Sequence, residues 1–188
     1  MATQSRSSTK RTSTSPQPAS LVLLNTGDGK GKSTAAFGVV LRALAQGWPV
    51  CVIQFLKSSG WTTGEEQMCE RLGVTWIKGG DGFTWASSDL DESQACARAA
   101  WTLAADLLAL GPYRLLVLDE LTLPLALGWL DTDQVVQAIR AREKGVNVVI
   151  TGRGAPSELV AVADVVTEMV KVRHPFDCGI VARAGIDF

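Results

Sequence analysis

The chain has 188 residues, 46% of them hydrophobic, and a formal net charge of −1; that length suits one domain with a sizeable core. Residues 1–20 carry Arg6, Lys10 and Arg11 and no acid, while the rest holds all 19 acidic residues against the other 15 of the 18 basic ones, a balance that argues against gripping nucleic acid by charge alone. Cys51, Cys69, Cys96 and Cys178 are scattered, with no C-x-x-C pair and one histidine to join them, which speaks against a disulfide framework or a zinc site and for reduced thiols in a cytoplasm; no apolar run reaches the ~20 residues a membrane helix needs.

In chain order, residues 1–20 are rich in Ser, Thr, Gln and Pro without apolar periodicity, and read as a disordered arm. The domain proper is expected over 21–188. A short apolar run at 21–25 predicts a first strand, followed by glycines. Residues 33–46 have helical spacing, with Phe37, Val40, Leu41 and Leu44 on one side and Gly47 as a stop signal. A second strand is predicted over 49–56, a short helix over 64–72 and a third strand over 73–77. The glycine-containing stretch 78–88, with Phe83 and Trp85, reads as a loop. A long Ala/Leu helix follows over 91–110, then a fourth strand over 113–118 that ends at Asp119-Glu120.

After a helical region, a second helix spans about 132–143. A fifth strand at 146–150 ends in Thr151-Gly152-Arg153-Gly154. A short helix at 156–163 and a sixth strand at 165–172 complete the series. Short all-apolar strands alternating with helices predict an α/β fold: a mostly parallel central sheet of about six strands with helices on both faces.

The segment between the first strand and the first helix carries chemistry. Gly27-Asp28-Gly29-Lys30-Gly31-Lys32-Ser33-Thr34 ends like a phosphate-binding P-loop, but its first glycine stands one residue later than in the common G-x-x-x-x-G-K-[ST] pattern. Glycines let successive N–H groups converge on one point, and the helix that follows adds its positive dipole end. Lys32 supplies a point charge and Ser33 a hydroxyl for Mg²⁺. Asp119-Glu120, at the end of an apolar strand, reads as a Walker B segment supplying an acid near that metal. Arg153 also follows a strand. It is either a cation facing the same crevice or a surface arginine.

Six segments in order resemble the P-loop corrinoid adenosyltransferases: Thr26 to Gly38, Gln54-Phe55-Leu56-Lys57, Gly82-Phe83-Thr84-Trp85, Leu118 to Thr122, Thr151 to Gly154, and Ala182 to Phe188. The late first glycine is itself a trait of that family. The resemblance implies that the 5′-deoxyadenosyl group of ATP passes to the Co(I) centre of a corrinoid and triphosphate leaves, in adenosylcobalamin synthesis or salvage. It implies Gly27, Asp28, Gly29, Lys30, Gly31, Lys32, Ser33 and Thr34 on the phosphates, with Arg42 and Arg153 near the nucleotide. Lys32 and Glu120 serve the reaction, and Ser33 and Glu120 hold Mg²⁺ or Mn²⁺. Phe83 and Trp85 match aromatics that lie against the corrin ring and keep cobalt four-coordinate, which eases reduction of Co(II).

A reductase or flavoprotein donor, a homodimer and a cytoplasmic location are further implications, with neither nucleic acid nor membrane as partner. His174 keeps a structural reading. Trp61 and Trp129 are either core or corrinoid-facing. The arm departs from the charged amphipathic N-terminal helix common in the family, and Arg183 stands where the family usually shows Gln. The rival reading is a P-loop ATPase hydrolysing at the γ-phosphate as a switch or motor; a non-catalytic nucleotide-binding regulator is a third.

Overall fold

A computed structural model describes residues 20–56, 62–79 and 90–187. Residues 1–19 of the predicted arm and 80–88 of the predicted loop, with Phe83 and Trp85, lie outside the described residues, as does Trp61. Six strands run in the order β3-β2-β4-β5-β1-β6, and every pairing is parallel. They are β1 (Val22–Thr26), β2 (Val50–Gln54), β3 (Thr75–Lys78), β4 (Leu115–Asp119), β5 (Asn147–Thr151) and β6 (Val165–Glu168). The helices are α1 (Lys32–Ala45), α2 (Gly64–Arg71), α3 (Leu90–Leu110), α4 (Thr122–Ala126), α5 (Thr132–Ala141) and α6 (Ser157–Val162).

Strands β2, β4 and β5 are apolar at most positions because the sheet is covered on both sides there, whereas the edge strand β6 is exposed throughout. On one face Leu24, Ile53, Leu116, Leu118 and Ile150 pack with Ala104 and Leu108 of α3, Ile139 of α5 and Leu159 of α6. On the other, Val52, Leu115, Val117 and Val149 pack with Phe37, Val40 and Ala43 of α1 and Cys69 of α2. Alternate residues of one strand therefore serve opposite layers. This two-sided burial holds the carboxyl ends of β1, β4 and β5 side by side, where an open parallel sheet binds its ligands.

Helix ends follow local chemistry. Asp131 caps α5 by accepting from the Gln134 N–H at 2.9 Å, and Thr63 caps α2 by accepting from the Glu66 N–H at 3.3 Å. The predicted second helix stops at Ala141, short of Glu143. There Arg142 turns out of the helix and its guanidinium donates to the carbonyls of Ile139 and Val146 at 2.8 and 2.9 Å, satisfying groups that a helix end and a strand start leave open. β6 is also shorter than predicted, ending at Glu168. Its partner β1 gives way to the glycine loop after Thr26, so no straight neighbour remains to pair with. Among the described residues no helix is long and apolar enough to cross a membrane.

Candidate active site

The glycine loop leaves β1 at Thr26 and enters α1 at Lys32. Gly27 and Gly31 have φ of 93° and 111°, angles a side chain resists. A second constraint acts on Gly27 and Gly29. A Cβ on Gly27 would stand 2.5 Å from the Met169 carbonyl oxygen, and one on Gly29 would stand 2.8 Å from the carbonyl oxygens of Met169 and Val170. The chain just past β6 thus forms a wall behind the loop. Two backbone bonds fasten it: the Met169 N–H donates to the Thr26 carbonyl at 2.8 Å, and the Gly29 N–H to the Met169 carbonyl at 2.7 Å.

The Gly29 N–H is therefore spent on the wall. The first turn of α1, which Gly31 opens without a side-chain cap, offers further donors for an anion. An uncapped helix start presents N–H groups and the positive end of the dipole together. Lys32 reaches back over the loop, its ammonium donating to the carbonyls of Gly27 and Gly29 at 2.7 Å each. Burial and the positive charge of Arg153 lower the Lys32 pKa, opposed by Asp28 and Glu120. Lys30 pairs with Asp187 from the C-terminal tail.

Asp119 ends β4 fully buried. One of its carboxylate oxygens accepts from the Gln54 amide at 2.9 Å and the other from the Thr151 hydroxyl at 2.7 Å. The next residue, Glu120, is the one non-glycine among the described residues with positive φ, at 62°, a conformation that costs roughly 1–3 kcal/mol. Its N–H donates to the Thr151 hydroxyl at 2.9 Å. The turn carries Glu120 into the cleft while Asp119 stays inside the sheet. Gly152, at φ 138°, lets the chain after β5 pass α4, where a Cβ would meet the Thr122 hydroxyl at 2.1 Å; that hydroxyl donates to the Arg153 carbonyl at 2.6 Å.

These elements enclose a cleft of about 520 Å³ at the carboxyl edge of the sheet, lined by residues 29–34, Glu120 and Arg153. Most of the predicted loop, Lys32, Ser33, Glu120 and Arg153 are brought together; Gly27 and the exposed Asp28 form the start of the loop. Arg42 is not brought there. It lies ten residues along α1 from Lys32, about 15 Å at 1.5 Å per residue, and lines a separate cleft of about 270 Å³ with Leu21, Trp48 and Asn147. Phe83 and Trp85 lie outside the described residues. His174 has a structural place, its Nδ1 accepting from the Phe176 N–H at 3.2 Å.

The cleft also contains Leu56, Glu65, Leu123, Leu127, Thr151 and Asp187, none of which sequence reasoning singled out by itself. Thr151 could have been suspected, since it closes a strand at the ligand edge. For Asp187 only its place in the tail segment offered a signal. Among the described residues no cysteine or histidine lines the cleft. Burial pushes the thiols of Cys51 and Cys69 up to about 12 and about 11, so neither is a ready nucleophile.

Residues 19–188 match the family model for the ATP:corrinoid adenosyltransferase BtuR/CobO/CobP. The chain belongs to that family. It is 45% identical to a corrinoid adenosyltransferase of Pseudomonas aeruginosa over 170 residues, covering 89% of this chain and 83% of the relative. It is 39% identical to a corrinoid adenosyltransferase of Escherichia coli K12 over 168 residues, covering 89% and 85%. A partial overlay on a KaiC-like protein of Pyrococcus horikoshii has a TM-score of 0.48 at 16% identity, over 81% of this chain and 72% of that one. The family makes this an enzyme with ATP and a corrinoid as substrates.

A divalent metal suits the residues present. The hydroxyl-bearing Ser33 and the carboxylate-bearing Glu120 line one cleft, and both are hard oxygen donors. Among the described residues no cluster of three or more His, Cys, Asp or Glu could hold a metal alone.

Proposed function

We propose that this chain transfers the 5′-deoxyadenosyl group of ATP to the Co(I) centre of a corrinoid and releases inorganic triphosphate. The cobalt lone pair attacks C5′ of the ribose. The C5′–O5′ bond breaks, its electron pair leaves on the triphosphate oxygen, and cobalt becomes an alkylated Co(III). No proton must be removed for this step.

The observation that carries the reading is the distribution of charge in the cleft. The uncapped start of α1, Lys32 and Arg153 set positive groups at the loop, where negative charge grows as the triphosphate departs, while Glu65, Glu120 and Asp187, the last paired with Lys30, line the same cleft. Leu56, Leu123 and Leu127 supply an apolar wall, suited to the less polar parts of the substrates. Among the described residues no cysteine or histidine lines the cleft to act as a nucleophile or imidazole base, and direct displacement at carbon requires neither. Ser33 and Glu120 would hold Mg²⁺ or Mn²⁺, which when bound supplies Lewis-acid neutralisation of the leaving group.

The family resemblance further assigns Phe83 and Trp85 to the corrin ring, with an external reductase or flavoprotein as electron donor, a homodimer and a cytoplasmic location. Incubating the protein with ATP, a divalent metal and a chemically reduced corrinoid tests the reaction. Triphosphate together with a light-sensitive alkyl-cobalt product is expected. ADP with orthophosphate, and no cobalt–carbon bond, would overturn it in favour of hydrolysis at the γ-phosphate.

A further inference from the structure

We infer that Thr151 is a positioning residue for the metal-facing carboxylate: its single hydroxyl sets the turn that delivers Glu120 to the cleft and keeps Asp119 out of it. The inference rests on the reading of Glu120 as a metal donor.

Thr151 is fully buried at the end of β5. Its hydroxyl proton is committed to Asp119 at 2.7 Å, and its oxygen accepts the Glu120 N–H at 2.9 Å. A hydroxyl has one proton to give, so this arrangement has one direction. The Gln54 amide takes the other Asp119 oxygen at 2.9 Å, and the strand register sets Gln54 beside Asp119. Both oxygens of the acid that usually follows an apolar Walker B strand are thereby turned into the sheet. The following residue bears the left-handed turn, at φ 62°. Without the Thr151 oxygen the Glu120 N–H loses a partner that supports this conformation, and the carboxylate loses its fixed place in the cleft that Ser33 also lines.

Thr151→Val keeps the shape and removes the hydroxyl. The probe is Mn²⁺, titrated by its electron paramagnetic resonance signal in the presence of ATP. Thr151→Val is expected to weaken Mn²⁺ binding at least tenfold and to leave ATP affinity in EDTA within threefold of wild type. Thr151→Ser restores the hydroxyl and is expected to bind Mn²⁺ within threefold of wild type. If Thr151→Val does not fold, Thr151→Ala replaces it, with at least a threefold loss expected because water can take over part of the relay. Unchanged Mn²⁺ binding in the folded variant would overturn the role, as would equal losses with and without metal. Wild type failing to form a cobalt–carbon bond would instead sink the proposed reaction; wild type failing to bind Mn²⁺ with ATP would remove the metal-donor reading of Glu120 on which this role depends.

Discussion

The ammonium nitrogen of Lys32 lies 2.7 Å from the carbonyl oxygen of Gly27, so the loop proposed to receive the polyphosphate also holds its own cation in place. The charge is pre-positioned, which limits the reorganisation needed when a leaving group develops negative charge beside it.

Lys32→Ala removes that charge. Its kcat/KM for adenosyl transfer from chemically reduced Co(I) is expected to fall at least tenfold, about 1.4 kcal/mol of barrier. Initial rates of cobalt–carbon bond formation measure it, and a smaller loss would remove Lys32 from the assigned role.

The same lysine predicts a pH dependence. Burial, then Arg153, lower its pKa in the free protein below 10.5. A bound polyanion favours the charged form and raises the pKa again. ATP binding therefore takes up a proton once pH exceeds the lowered value, and affinity falls by up to about tenfold per pH unit until the raised value is reached. Below the lowered value affinity is flat with respect to this group. Calorimetry of ATP binding in buffers of different ionisation enthalpy checks the proton uptake. Lys32→Arg, charged throughout, is expected to abolish this component.

Two glycines predict opposite signs. At Gly152 a Cβ would strike the Thr122 hydroxyl at 2.1 Å with φ at 138°, so Gly152→Ala is expected to destabilise by about 2 kcal/mol or more. Gly38 lies within α1 with open space around its would-be Cβ. Gly38→Ala is expected to stabilise by about 0.5–1 kcal/mol. Urea unfolding midpoints report both.

Trp85→Ala is expected to reduce product formation more when the reaction starts from Co(II) than from pre-reduced Co(I). Parallel assays with the same corrinoid compare the two. Equal losses would mean that Trp85 does not govern reduction.

Much of the scaffold is legible in residues close together in the chain. The runs 115–118 and 148–150 announce doubly covered strands because neither face offers a polar residue to water. The glycine loop is legible because its function needs backbone freedom, which only glycine signals. The network behind Glu120 is not, since it depends on β2, β4 and β5 lying in register, and Gln54 is 65 residues from Asp119. Asp187 beside Lys30, 157 residues away, is equally nonlocal. Arg42, ten residues along α1 from Lys32, is outside the residues that line this cleft, a placement that the helix sets and the resemblance alone does not show.

The wall at Met169 has a consequence for the order in which the protein is made. β1 sits between β5 and β6, the last two strands to be synthesised, and its loop rests on backbone that follows β6. The ribosome produces the phosphate signature early, yet a nascent chain cannot shape it until β6 and Met169 have emerged. Closing so long a stretch is entropically costly and comes late in folding. ATP is thus expected to engage only the finished product and to offer little help to a growing or truncated one.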